Sequence, residues 1–123
     1  MLADNQTITV AGNAKLMPLV LTEAFHSFRQ MSDQTFSLDI RHRRVKRNGK
    51  ARVVSTCGFN QKKIVSNPLD STNDYDNLLE SLMIDRPEIG FSVTEVKDQW
   101  TGFSTWLSAS SNAIVAQLYN MES

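Results

Sequence analysis

This 123-residue chain has a single cysteine, Cys57, and only two histidines, His26 and His42. One cysteine excludes an intramolecular disulfide and any cysteine-rich metal site. No stretch approaches the roughly 18 consecutive apolar residues of a membrane-spanning helix, so no membrane partner is expected. Met1-Leu2-Ala3-Asp4-Asn5 lacks the basic and apolar regions of a signal peptide, which points to synthesis in a reducing cytoplasm. There is no GxSxG, no phosphate loop, no HExxH and no CxxC. Neither histidine has a carboxylate placed in sequence to orient it, except Asp39 close to His42. Cys57 falls on the inward side of its strand, where a small buried thiol is the ordinary outcome. No enzymatic activity, cofactor or metal is expected.

The most telling absence is that of acid between Ile40 and Leu69. That stretch holds nine of the thirteen Lys and Arg residues and no Asp or Glu, although the chain as a whole has formal charge zero. Arg41, Arg43, Arg44, Lys46, Arg47, Lys50 and Arg52 crowd around Asn48-Gly49, and Lys62 and Lys63 follow. Eight of the compensating acids lie between Asp70 and Asp98. Mixed charges cancel within about one Debye length, roughly 8–10 Å, whereas a segregated field attracts a polyanion. A nucleic-acid backbone is the first expectation, with Arg43, Arg44 and Arg47 at the turn as phosphate contacts.

Strand signals come first along the chain. Thr7 to Val10 and Lys15 to Leu21 read as two strands joined at Gly12-Asn13, with Pro18 forcing an edge or a bulge. Residues Glu23 to Asp33 read as a short strand with irregular flanks. Phe36, Leu38 and Ile40 alternate with polar neighbours, the period of a half-buried strand. Asn48-Gly49 is a strong hairpin signal, since both residues tolerate positive φ, and Ala51 to Phe59 is the return strand. Ser66 to Asn77 reads as a long exposed loop, and Leu78 to Ile84 as a further strand.

The period then changes. Ser92 and Glu95 form a capping box, and Val93, Val96, Trp100, Phe103 and Leu107 recur at spacings of three and four, one apolar stripe on a helix of about seventeen residues. Ser108 to Asn112 interrupts it, and Ala113 to Met121 reads as a second helix. Trp100 and Phe103, with Val96 and Leu107, are expected in a core or dimer interface rather than as a stacking platform for bases. Strands first and helices last argue for an α+β layer: an antiparallel sheet with the two C-terminal helices packed on one face. One sheet face stays uncovered, and the helix stripe asks for more sheet than one chain provides. A dimer answers that demand, since each large apolar side chain removed from water is worth roughly 1.5–3 kcal/mol.

In the order of its parts the chain resembles the coat proteins of the small single-stranded RNA bacteriophages, the leviviruses. The resemblance rests on the hairpin Gln6 to Leu21, the alternating strand Gln34 to Arg41, the basic turn Lys46-Arg47-Asn48-Gly49-Lys50, the polar loop, the strand Leu78 to Ile84 and the two final helices. It spans nearly the whole chain, read as one coat-protein domain, 1–123. It implies an intertwined homodimer whose strands join into one antiparallel sheet, helices packed over the partner, and assembly into an icosahedral capsid. It further implies that the inner sheet face binds the viral genome, including an operator hairpin through which translation is repressed. The protein would then reside in the virion. The polar loop would sit at the symmetry axes and make contacts between dimers.

The resemblance implies RNA contacts from outward-alternating residues of the central strands; matched to this chain, these would be Thr35, Ser37, Asp39 and Arg41 on one strand, Lys50, Arg52, Val54 and Thr56 on the next, and Ser81 and Met83 on the third. Asp39 and Val54 depart from the basic or polar residues the pattern asks for. The competing expectation is a freestanding dimeric nucleic-acid-binding regulator with the same layer architecture.

Overall fold

The computed structural model describes residues 2–66, 68–69 and 72–122. The chain forms two compact units, Met1–Pro87 and Glu88–Ser123. The first contains seven strands: β1 (Gln6–Val10), β2 (Asn13–Met17), β3 (Leu19–Glu23), β4 (His26–Gln30), β5 (Phe36–Arg47), β6 (Lys50–Ser66) and β7 (Asn73–Pro87). The second contains one helical element, α1 (Val93–Tyr119). The α+β class with antiparallel strands is thus observed. Among the described residues no helix is long and apolar enough to cross a membrane.

β1 and β2 form a separate hairpin, closed by Ala11 and Gly12 at φ 51° and 80°. Asn13, expected in that turn, instead pairs with Val10 as the first residue of β2. The expected strand Lys15 to Leu21 is divided at Pro18: β2 stays with β1, while β3 enters the second sheet, with an irregularity in register between Leu19 and Leu21. Proline has no N–H for a ladder, so the chain changes sheets where the ladder is broken anyway. Its carbonyl still accepts from the Gln30 N–H at 3.1 Å.

The second sheet runs β3-β4-β5-β6-β7, every neighbour antiparallel. Its centre is the long hairpin of β5 and β6, in which Arg47 pairs with Lys50 across Asn48 (φ 54°) and Gly49 (φ 75°). Two successive left-handed residues make the turn whose twist matches the strands. The long exposed loop expected from Ser66 to Asn77 is strand at both ends: β6 continues to Ser66, β7 begins at Asn73, and those two residues pair. The connection is residues 67–72, of which 67, 70 and 71 lie outside the described residues.

The core lies between the hairpin and one face of the sheet. Met17, Phe36 and Leu38 are buried, with Ile8, Val10, Met31, Ile40, Cys57 and Phe59 packed against them. The Phe36 and Phe59 rings stack with centroids 5.6 Å apart, and the Lys15 ammonium caps Phe36 at 4.9 Å. Buried Arg29 ties the chain's start to β4: Nε and Nη2 donate to the carbonyls of Ala3 and Asp4, and Nη1 donates to Ser27 Oγ. Alternation places Phe36, Leu38 and Ile40 of β5 with Phe59 and Cys57 of β6 on this hairpin-covered side.

In the second unit Ser92 caps α1, its hydroxyl accepting from the Glu95 N–H at 3.2 Å. The break expected at Ser108 to Asn112 falls inside this one element, where Ala109 is extended and Ser110, Ser111 and Asn112 are left-handed. The positions expected in a core or dimer interface are open in the single chain. No residue of α1 is buried in the single chain: Trp100 is 42% and Phe103 49% exposed, while Val96 and Leu107 are half-buried. Trp100 meets Phe103 edge-on, and Phe103 stacks on Trp106, each pair with centroids 6.2 Å apart. The three rings form a contiguous row along α1.

Candidate nucleic-acid interface

The face of the sheet away from the hairpin is built by the other set of alternating residues. On β5 these are Ser37, Asp39, Arg41, Arg43, Val45 and Arg47, and the register sets them against Asn60, Gly58, Thr56, Val54, Arg52 and Lys50 of β6. On β7, Ser81 lies beside Gly58, Met83 beside Thr56 and Asp85 beside Val54. Eight of the expected contacts therefore share one face: Ser37, Arg41, Arg43, Arg47, Lys50, Arg52, Thr56 and Ser81.

Two do not join them. Arg44 lies opposite Val53 and so belongs to the alternate, hairpin-covered side, because a strand turns successive side chains to opposite faces. Thr35 precedes β5 and is engaged in the turn before it. Its N–H and hydroxyl both donate to Asp33 Oδ1, at 3.0 and 2.6 Å, and its carbonyl accepts from the Lys62 N–H. Those bonds to Thr35 hold the Asp33 carboxyl below its usual range.

The face is less uniformly positive than the run of bases implies, because two carboxylates interrupt it. Asp39 accepts from Arg41 Nε at 3.0 Å on one oxygen and bonds His26 Nε2 at 2.6 Å on the other. Glu23 lies 3.8 Å from the far nitrogen of His26. Asp39 thus orients His26, not His42, which meets Ser55 Oγ at 2.9 Å. Asp85 accepts from Arg47 Nη1 at 2.7 Å and Arg52 Nε at 2.9 Å, and these two guanidinium groups hold its carboxyl below the usual range. Among the described residues Arg43 and Lys50 carry no ion pair, which makes them the readiest phosphate contacts.

A depression of about 760 Å³ opens on this face, lined by Phe25, His26, Arg41, Arg43, Val54 and Thr56 among others. An exposed ring, two guanidinium groups and a hydroxyl are the groups that stack on a base and bond its edge. Val54, which departs from the polar pattern, is only 2% exposed and makes the apolar floor. Farther along β6, the Lys62 ammonium sits 4.6 Å above the Tyr75 ring. Phe25, His26 and Asp85 were not expected on this face from sequence. Phe25 lies in the two-residue turn between β3 and β4, and Asp85 acquires meaning only once β7 is aligned with β6. Among the described residues no group of three His, Cys, Asp or Glu could hold a metal ion.

A two-stranded hairpin laid on a five-stranded antiparallel sheet, with a helical segment following it, is the fold of phage coat proteins, and solved structures make the likeness specific. The chain matches the virus-like particle of bacteriophage AVE019 with a TM-score of 0.70 at 11% identity, over 89% of this chain and 90% of that one. It matches the virus-like particle of Beihai levi-like virus 21 equally well, TM-score 0.70 at 10% identity, over 97% and 94%. The bacteriophage EMS014 coat protein gives 0.65 at 12% identity, over 91% and 81%. No protein-family model and no curated protein matches the sequence. The chain therefore has the levivirus-type coat-protein fold, carried by a sequence with little in common with theirs.

Proposed function

We propose that this protein is the coat protein of a small single-stranded RNA bacteriophage, a structural and non-catalytic subunit made in the bacterial cytoplasm and resident in the virion. The observation that carries the reading is the shared fold over about nine-tenths of the chain with proteins that form virus-like particles. Residues 1–123 act as one coat-protein domain. Two copies dimerise, and dimers close into an icosahedral shell. β7 supports the dimer: it is a 15-residue strand at the edge of the sheet, and an unpaired edge of that length is a template for a second chain. The stripe of Trp100 and Phe103 supports it too, as the surface that two helices, one on either side of the Ala109–Asn112 break, lay over the partner's sheet.

The open face binds the RNA genome and an operator hairpin through which translation is repressed. Ser37, Arg41, Thr56 and Ser81 select among RNAs, while Arg43 and Lys50 supply phosphate contacts, and Arg47 and Arg52, tied to Asp85, complete the RNA-binding set, because backbone contacts position a nucleic acid and base contacts specify it. The charge segregation supports RNA as the ligand. For single strands the slope of log affinity against log salt is about −0.7 per phosphate contact. Replacing Arg43 and Lys50 together by Gln flattens that slope by about 1.4, whereas Arg44→Gln, on the other side of the sheet, leaves it unchanged. An unaltered slope in the double variant would reduce the basic run to a solvated charge cluster. Electron microscopy of the purified protein decides between shell and regulator: closed particles are expected, and a species that stays near twice 13.9 kDa with RNA present would favour a freestanding dimeric RNA-binding regulator.

A further inference from the structure

Asp85 stands in the middle of the cations it would be expected to weaken. Arg47 is on β5 and Asp85 on β7, with β6 between them, so the Arg47 side chain crosses a strand, roughly 9–10 Å at the usual spacing, to reach Asp85 Oδ2. Arg52, diagonal to Asp85 on the neighbouring strand, takes Oδ1 through Nε and the main-chain carbonyl through Nη2 at 3.4 Å. The carboxylate is 23% exposed, with Arg47 at 55% and Arg52 at 27%. Three formal charges thus sum to one, and two guanidinium groups are held by one acid. A solvated salt bridge at a rim would need neither the crossing nor the double occupancy.

A phosphate and a base edge meet this arrangement differently. A phosphate approaching Arg47 or Arg52 also approaches Asp85 and is repelled by it. The exocyclic amine of cytosine or adenine can instead donate to the lone pairs the two arginines leave on the carboxylate, while their outer N–H groups face the ring acceptors. Uracil has no such amine. Discrimination between ligands often rests on a repulsive group as much as on attractive ones.

We propose that Asp85 is a specificity-determining residue of the RNA face: it suppresses sequence-blind phosphate binding by Arg47 and Arg52 and favours a base carrying an exocyclic amine at the turn end of the sheet. This rests on the RNA-binding reading. Binding of twelve-residue oligo(C) and oligo(U) to the full-length protein, measured across a salt series, tests it. The wild-type protein is expected to prefer oligo(C) several-fold. Asp85→Asn, of the same shape without the charge, is expected to gain oligo(U) affinity, to steepen the salt slope by about 0.7 to 1.4, one or two recovered phosphate contacts, and to lose the preference. Asp85→Glu keeps the charge and is expected to keep the preference.

Equal wild-type affinity for the two oligomers overturns the proposal even if no variant folds. So does a folded Asp85→Asn protein whose oligo(U) affinity and slope are unchanged or reduced, which would leave the bridge a purely structural clasp. Failure of every form to bind either oligomer at low salt overturns the RNA reading itself, and binding by Asp85→Asn alone keeps the RNA reading but overturns the base preference assigned to Asp85.

Discussion

Cys57 shows how a single residue reports on the sheet's two sides. It lies opposite Ile40, half-buried against the hairpin core, and burial pushes its thiol above the ordinary value of 9.0, with Asp39 adding to the rise and Arg29 opposing it. A raised folded-state value means the neutral thiol contributes stability in full below the unfolded value, near 9, and loses it as pH climbs through the folded value. Only the thiolate is nucleophilic, so iodoacetamide at pH 8 is expected to alkylate Cys57 on the order of tenfold more slowly in the folded protein than in urea. Equal rates would put the thiol on the surface and the strand in the wrong register. The same alternation that hides Cys57 assembles Ser37, Arg41, Arg43 and Thr56 on the opposite face. That much was legible from the period of two. Arg44 shows the limit of reading charge by proximity in sequence: it adjoins Arg43 and serves the other face.

Among elements, the hairpin of β5 and β6 was the most legible, because Asn48 and Gly49 both occupy the left-handed conformation that few other residues accept. Nothing lies within 4 Å of a side chain added at Gly49, so only backbone strain opposes one. Gly49→Ala is expected to cost about 1–2 kcal/mol, the usual penalty for a Cβ in that region, and Asn48→Gly close to nothing; urea unfolding at fixed protein concentration checks both. A loss at Gly49 no larger than at an exposed strand position would mean the turn relaxes to another type. The start of β7 was not legible, for a physical reason. Asn73, Asp74, Asp76 and Asn77 are turn formers with poor strand propensity, and they are extended because β6 already presents a ladder for them to complete. Lys63 faces Asp76 there, and the Lys62 ammonium covers Tyr75. Tertiary pairing overrides local preference, and a polar strand at a sheet's rim looks like a loop until its partner is known. The division at Pro18 was half-legible: proline announces a broken ladder but not which sheet each side will join.

At the scale of the whole molecule, the exposed aromatic stripe is the feature one chain leaves unresolved. Val93, Trp100, Phe103 and Trp106 are all at least 42% exposed on a helix with no buried residue. Contiguous exposed apolar surface on a soluble protein marks an interaction site, and buried aromatic anchors dominate interface energetics. If a second copy covers the stripe, Trp100→Ala removes such an anchor. The expected loss is at least about 2 kcal/mol, some thirtyfold in the dimer dissociation constant, read by sedimentation equilibrium over a dilution series and followed by fewer particles in the microscope. The slow alkylation of Cys57 separates this from general unfolding, because that thiol belongs to the sheet unit and not to α1. Weakened association with Cys57 still protected places Trp100 in the interface. Normal particles from Trp100→Ala, with RNA content alone reduced, would make the stripe a stacking surface for bases and move the RNA site off the sheet. Particle loss together with rapid Cys57 alkylation would instead show that the sheet unit itself depends on the helix for its stability.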